Sequence, residues 1–134
     1  MFVDASALVA ILVREPGWEA LAKKLGLAVR PITSAIAIYE TALAVARLRD
    51  GDLVLALADV RAFLHAADMA VVEIGTDDAD AAVTAFARFG KGRNHPARLN
   101  RGDCFAYALA KRHGVPLLFK GDDFSKTDLR DAAP

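Results

Sequence analysis

Hydrophobic residues in this chain fall into short runs separated by longer stretches with helical spacing. Residues 1–3 form a short apolar run that predicts a strand, and residues 5–13 are apolar enough to predict a helix, stopped at Glu15-Pro16-Gly17. Residues 18–25 predict a second helix closed by Gly26. Residues 27–32, with Val29 and Ile32, are β-like, and Thr33 or Ser34 then caps a long helix over 35–49. Past the turn Asp50-Gly51-Asp52, residues 53–67 are helical again. A strand is predicted over 70–74, followed by a helix capped by Thr76 or Asp77 and running to Phe89, with Val83, Phe86 and Ala87 on one face. Residues 90–101 form a loop rich in Gly, Pro and Arg. A helix over 102–113 ends at Gly114, and a last strand spans 117–119. Beyond Gly121 the chain is turn-rich and carries Asp128 and Asp131 towards Pro134. Strands alternating with helical crossovers, with no hairpin signal between them, predict an α/β fold: a parallel sheet covered by helices on both faces. Ligands in such folds bind beyond the carboxyl ends of the strands.

At 134 residues the chain is expected to form one domain, 1–134. Its 54% hydrophobic and 25% charged residues exclude a disordered chain. Lys and Arg number 17, as do Asp and Glu, so the chain is not a uniformly basic nucleic-acid coat; a polyanion must be met by a local patch or a bound metal. The single cysteine, Cys104, cannot form an internal disulfide. The apolar runs fall short of the ~18 residues that span a bilayer. The start Met1-Phe2-Val3-Asp4 has no basic segment and carries an acid early. A soluble, cytoplasmic protein without a membrane partner is the expectation.

Acidic residues follow strand ends or open helices. Asp4 follows the first strand, Asp103 opens the helix over 102–113, and Asp122 and Asp123 follow the last strand. Glu40 lies inside the long helix on the apolar stripe of Ile36, Leu43 and Ala44, with no basic residue within one turn. Taken singly, Asp4 and Asp103 read as helix caps, Asp122-Asp123 as a turn and Glu40 as a partly exposed acid. Those readings do not explain the set. Strand ends converge in a doubly wound sheet, where clustered carboxylates repel one another and bind protons more tightly. A hard divalent cation relieves that repulsion, and oxygen ligands suit Mg2+ or Mn2+. Zinc is disfavoured, because Cys104, His65, His95 and His113 show no ligand spacing. Carboxylate-held metal serves phosphate chemistry, and no Gly-rich phosphate loop is present.

From Arg88 to Arg101 every charged residue is positive: Arg88, Lys91, Arg93, Arg98 and Arg101, with His95 among them. Gly90, Gly92 and Pro96 keep the segment irregular. A flexible cationic loop beside a carboxylate centre suits a nucleic-acid backbone crossing it, although such a segment can also be an ordinary solvated loop. Lys111, Arg112 and His113 read as helix C-terminal residues, and Cys104 as a packed residue without a base to activate it.

With these residues in place the sequence resembles the PIN-domain ribonucleases, specifically the VapC-type toxins of bacterial toxin–antitoxin pairs. The matching stretches are Phe2-Val3-Asp4-Ala5-Ser6-Ala7-Leu8, Tyr39-Glu40-Thr41-Ala42-Leu43, Gly90-Lys91-Gly92-Arg93, Asn100-Arg101-Gly102-Asp103-Cys104-Phe105 with the helix behind it, and Pro116-Leu117-Leu118-Phe119-Lys120-Gly121-Asp122-Asp123-Phe124. They span essentially the whole chain in order. The resemblance implies a PIN-like three-layer α/β/α sandwich on a central parallel sheet of four or five short strands. It implies Mg2+ or Mn2+ held by Asp4 and Asp103, with Glu40 as a supporting acid. Either Asp122 or Asp123 is the fourth acid, and Gly121 stands where other PIN domains can carry it. Ser6 and Thr127 are candidate hydrogen-bond partners of the acids. Lys91, Arg93, Arg98 and Arg101 are the candidate RNA contacts. The implied activity is hydrolysis of an RNA phosphodiester, a metal-activated water attacking in line while metal stabilises the departing 3′ oxygen. The implied partners are transfer or ribosomal RNA, a second copy of the chain, and a VapB-type antitoxin whose segment enters the acidic groove.

Other classes fit less well. A phospho-acceptor domain needs an Asp at a central strand end, whereas the strand over 70–74 runs into Gly75-Thr76. A haloacid-dehalogenase-type phosphatase needs Asp-x-Asp where this chain has Asp4-Ala5-Ser6. The serious alternative is a non-catalytic PIN-like module that binds RNA or a protein.

Overall fold

A computed structural model of the protein describes residues 1–49 and 51–129. The elements run β1 (Phe2–Val3), α1 (Ala5–Leu12), α2 (Trp18–Gly26), β2 (Ile32–Ser34), α3 (Ala35–Leu48), α4 (Leu53–Ala66), β3 (Ala70–Val72), α5 (Thr76–Phe89), α6 (Arg101–His113) and β4 (Leu117–Leu118), followed by a 3-10 turn over Phe124–Lys126. The four strands form one parallel sheet in the order β3-β2-β1-β4. Successive strands move outward from β1 in one direction until β4 returns to its other side. The strand order therefore reverses beside β1, and the crevice at its carboxyl end is where a doubly wound sheet binds ligands.

Period-two alternation explains the layering. On β1, Phe2 joins a core cluster with Phe89, Leu109 and Leu117 beneath α5 and α6. Its neighbour Val3 joins the opposite cluster with Leu8, Val60 and Leu118 beneath α1, α2 and α4. Each fully buried Leu or Phe contributes about 1.5–3 kcal/mol relative to exposure, so both faces of even a two-residue strand are held. The three-layer α/β sandwich expected from the pattern is the observed fold. Among the described residues no helix is long and apolar enough to cross a membrane.

The differences are local. The second strand begins only at Ile32, and Leu27 and Val29 before it are largely exposed (71% and 93%). Pro31 lacks an N–H, so the ladder starts with the Ile32 N–H donating to the Met1 carbonyl at 2.8 Å. Of the two cap candidates for α3, Ser34 takes the position, its hydroxyl accepting from the Ala37 N–H at 3.2 Å. The third strand ends at Val72, short of Ile74. Helix α5 is capped by neither Thr76 nor Asp77. Gly75 occupies that place and donates its N–H to the Asp78 carboxylate at 2.8 Å, and Arg112 holds Asp78 from α6 at 2.5 Å. The buried face of α5 is Ala82, Ala85 and Phe89, with Val83 turned to solvent. Alanines at that face let α5 lie close along α6, itself lined by Ala106 and Ala110. Asp50 and Asp131 lie outside the described residues.

Nor is the cationic loop free. Gly90 and Leu99 form a parallel bridge, Lys91 N–H donates to the Leu99 carbonyl at 2.9 Å, and Ala97 and Leu99 are fully buried anchors. His95 packs edge-on to Phe89 at 4.9 Å. Its charges ride on a pinned frame.

Candidate active site

Three acids reach one cavity of about 500 Å³, lined also by Ser6, Arg47 and Asn100. Asp4 leaves β1 and caps α1. It is 3% exposed, with one carboxylate oxygen accepting from the Ser6 N–H at 2.9 Å and the Ser6 hydroxyl at 2.6 Å. The same hydroxyl accepts from the Lys120 N–H at 3.0 Å, tying Asp4 to the chain leaving β4. Ser6 is thus the partner of Asp4 that the sequence marks. Asp103 is not itself the cap of α6. Asn100 is: its side chain accepts from the Asp103 N–H at 2.9 Å while Asp103 accepts from the Asn100 N–H at 2.7 Å. Glu40 projects from α3 onto Gly102 in the first turn of α6. A Cβ at Gly102 would overlap both Glu40 carboxylate oxygens. The helix N-terminus also favours negative charge there.

Electrostatics couple these groups. Burial, followed by the charges of Asp4 and Asp103, pushes the Glu40 carboxyl up to about 7. Burial raises Asp103 to about 6, opposed by its bond from Asn100 and reinforced by Asp4 and Asp123. Burial also raises Asp4, against the two bonds from Ser6. A raised carboxyl binds its proton more tightly folded than unfolded, so the unfolded chain holds fewer protons and stability falls as pH rises. For Glu40 and Asp103 this cost is absent near their ordinary values of 4.5 and 3.8 and complete above about 7. The melting temperature of the protein in a chelator is therefore expected to drop by a few degrees between about pH 5 and pH 8, and added Mg2+ is expected to remove most of the drop. A melting temperature flat with pH, or indifferent to Mg2+ at the upper pH, would contradict the repulsion inferred here.

Asp122 and Asp123 are both exposed and neither lines the cavity; the charge of Asp123 contributes to raising the Asp103 carboxyl, and the Asp122 carbonyl accepts from the Ser125 hydroxyl at 2.7 Å. Thr127 does not reach the acids: its hydroxyl donates to the Phe124 carbonyl at 2.7 Å and accepts from Leu129 N–H at 3.2 Å. The tail is held by Phe124, buried against Phe119, and by Asp128, which accepts from the Tyr107 hydroxyl at 2.6 Å and Lys111 at 3.1 Å. Of the basic residues, Lys91 and Arg101 line a second cavity of about 480 Å³ that shares Glu40 and Asn100 with the first. Arg93 lies over the Phe86 ring at 5.6 Å, Arg98 is exposed, and Arg88 turns away over Phe89 towards Asp128. Lys111 and Arg112 lie in the last turn of α6 as the sequence predicts, and both are engaged in ion pairs.

The sequence reading missed Arg47, Asn100 and Gly102 as site residues. Arg47 lies seven residues beyond Glu40, two helical turns along the same face, so a wider window would find it. Gly102 is a poor helix former inside a first turn, a weak signal that something approaches closely.

The donor set fits a divalent cation. It consists of carboxylate oxygens alone, converging on one cavity, raised above their ordinary proton affinities by burial and, for Glu40 and Asp103, also by neighbouring carboxylates. The acids share the cavity without being drawn together: among the described residues no three His, Cys, Asp or Glu side chains form a ready-made ion site. Cys104 is buried, its thiol pushed up to about 11 by burial and then by Asp103, so it is a packing residue.

Comparison with known proteins agrees with this geometry. The PIN domain family matches residues 1–129. The chain is 47% identical over 130 residues to a Ribonuclease VapC of Mycolicibacterium smegmatis, covering 96% of this chain and 97% of that one. It is 42% identical over 143 residues to a VapC ribonuclease of Rhizobium meliloti, covering 96% and 98%. Its fold superposes on the crystal structure of Mycobacterium tuberculosis VapC20, a Sarcin-Ricin loop cleaving toxin, with a TM-score of 0.79 over 99% and 98% of the chains at 18% identity, a likeness of fold. The chain therefore belongs to the PIN domain family, among its VapC ribonucleases.

Proposed function

We propose that this protein is the toxin of a VapBC-type pair and hydrolyses RNA phosphodiester bonds. The observation that carries this reading is the convergence of Asp4, Glu40 and Asp103, from three distant parts of the chain, on one cavity. Asp4 and Asp103 hold a divalent cation, Mg2+ or Mn2+, with Glu40 in support and Asp123 as the fourth acid in preference to Asp122. Bound there, the cation supplies Lewis acidity towards water and the scissile phosphate. The chain's own groups do the placing. Ser6 and Asn100 fix the two principal carboxylates, and Gly102 sets the reach of Glu40. Arg47, at the cavity wall and without an ion pair among the described residues, is placed to meet a phosphate oxygen. Water adds to phosphorus as the bond to the 3′ oxygen breaks. A single domain over 1–134 suffices for this.

The partners follow from the same surface. Lys91 and Arg101 lie beside the acidic cavity with Arg93 and Arg98 on the loop behind them, an arrangement suited to structured RNA such as transfer or ribosomal RNA. A VapB-type antitoxin is the inhibitor, and a basic segment would be drawn to the acids. The exposed Leu48, Leu53 and Val54 support self-association as a dimer. The location that fits these partners and the unbridged Cys104 is the cytoplasm.

The direct test is incubation of purified protein with RNA and Mg2+ beside the Asp4→Asn variant. Metal-dependent fragments from the native protein alone support the reading. Identical RNA profiles favour the alternative of a binding module that does not cut. A separate expectation concerns the loop: Lys91→Ala and Arg101→Ala each weaken RNA binding and lower the slope of log affinity against log salt by about one. An unchanged slope in both would remove them from the RNA path.

A further inference from the structure

We propose that the cavity between Phe86, Lys91 and Arg101 is a nucleobase pocket that receives one unpaired base of the RNA next to the phosphate that is cut. The inference rests on the ribonuclease reading above and adds the feature of the substrate that is recognised. The cavity measures about 480 Å³ and shares Glu40 and Asn100 with the acidic cavity, so a strand crossing the acids passes directly into it. Its chemistry differs from that of its neighbour. One wall is the half-buried Phe86 ring, and the rim carries Lys91 and Arg101, neither in an ion pair among the described residues. An aromatic face flanked by cations is the arrangement that binds single-stranded nucleic acid: the ring stacks a base and the cations meet the phosphates on either side.

Two further observations show that the ring is set for this. Gly90 braces it, since a Cβ there would overlap both the Phe86 carbonyl and its ring, and the Gly90–Leu99 bridge fixes Lys91 beside it. The Arg93 guanidinium lies 5.6 Å from the ring centroid, a third cation close to the ring. Behind the ring, a smaller cavity of about 240 Å³ shares Phe86 and Arg101 and is walled by Cys104 and Phe105. Bases paired within a duplex point inward and cannot enter, so the pocket selects loops, bulges or ends.

The test uses the Asp103→Asn protein to prevent cleavage and short single-stranded RNA oligonucleotides, each with 2-aminopurine at one position. Leaving its neighbours in the strand for the pocket is expected to raise the fluorescence at one position. Phe86→Leu, which keeps an apolar side chain of similar reach, is expected to remove that rise and weaken binding about tenfold, and Phe86→Tyr to retain the affinity. Lys91→Ala is expected to weaken binding while leaving the rise in place at saturation. An equal rise in Phe86→Leu, or equal binding of the same sequence as a duplex, would overturn the pocket. If native protein cleaves RNA yet Phe86→Leu changes nothing, the pocket alone falls; if RNA is neither bound nor cut, the ribonuclease reading falls with it.

Discussion

Replacing Asp103 by asparagine is expected to abolish metal-dependent RNA cleavage and to leave the protein folded. The two halves of this expectation come from different atoms. Asp103 accepts from the Asn100 N–H at 2.7 Å and its own N–H donates to the Asn100 side chain at 2.9 Å. An asparagine carbonyl oxygen can accept the first bond, and the second involves only the backbone of residue 103, so the start of α6 survives. What disappears is a negative charge facing Asp4, Glu40 and Asp123. Cation binding weakens accordingly, and the rate falls by at least about a hundredfold, the scale seen when one electrostatic group is removed from a preorganised site. Removing that charge also relieves repulsion on Glu40, so the variant in a chelator should melt no lower than the native protein at about pH 8. Circular dichroism and an RNA cleavage assay decide the matter. An unfolded variant would make Asp103 structural, and a fully active one would remove it from the site.

Gly102→Ala is expected to separate folding from catalysis more sharply still. By helix propensity alone, alanine within a helix is worth up to about 1 kcal/mol over glycine, which predicts a more stable protein. The new Cβ, however, would occupy the place of the Glu40 carboxylate. That carboxylate is the far end of a flexible side chain, so the conflict is resolved by Glu40 swinging out and not by displacement of α3 or α6. Leaving also relieves Glu40 of the burial and the like charges that raise its carboxyl to about 7. Stability is therefore expected to hold or rise by a few degrees while cleavage falls about tenfold or more. The measurement is a melting curve beside a cleavage time course. Native activity in the variant would show that Glu40 contributes nothing from its present position, and a large loss of stability would show that the contact is part of the packing.

The layers of the fold were legible because each depends on short stretches of chain. The alternation of Phe2 with Val3 and of Leu117 with Leu118 sends neighbours to opposite cores, and Ser34 caps α3 from one position before it. Errors arose where a distant partner intervened. Asp78 is held by Arg112 from another helix and accepts from the Gly75 N–H, so the cap of α5 falls at Gly75, and the bare ladder before Pro31 left Val29 in solvent. The loop over 90–101 reads as flexible from its local glycines and proline, whereas its anchors Ala97 and Leu99 act through burial.

By itself, then, the sequence determined a parallel α/β sandwich and a set of acids at its strand and helix ends, since periodicity, caps and breakers act within a few residues. Only the tertiary structure decided which groups face one another: Glu40 against Gly102, Arg47 on the acidic wall and Phe86 between two cavities. The physical reason is that a carboxylate's proton affinity and a ring's accessibility depend on neighbours a few ångströms away in space that lie tens of residues away along the chain.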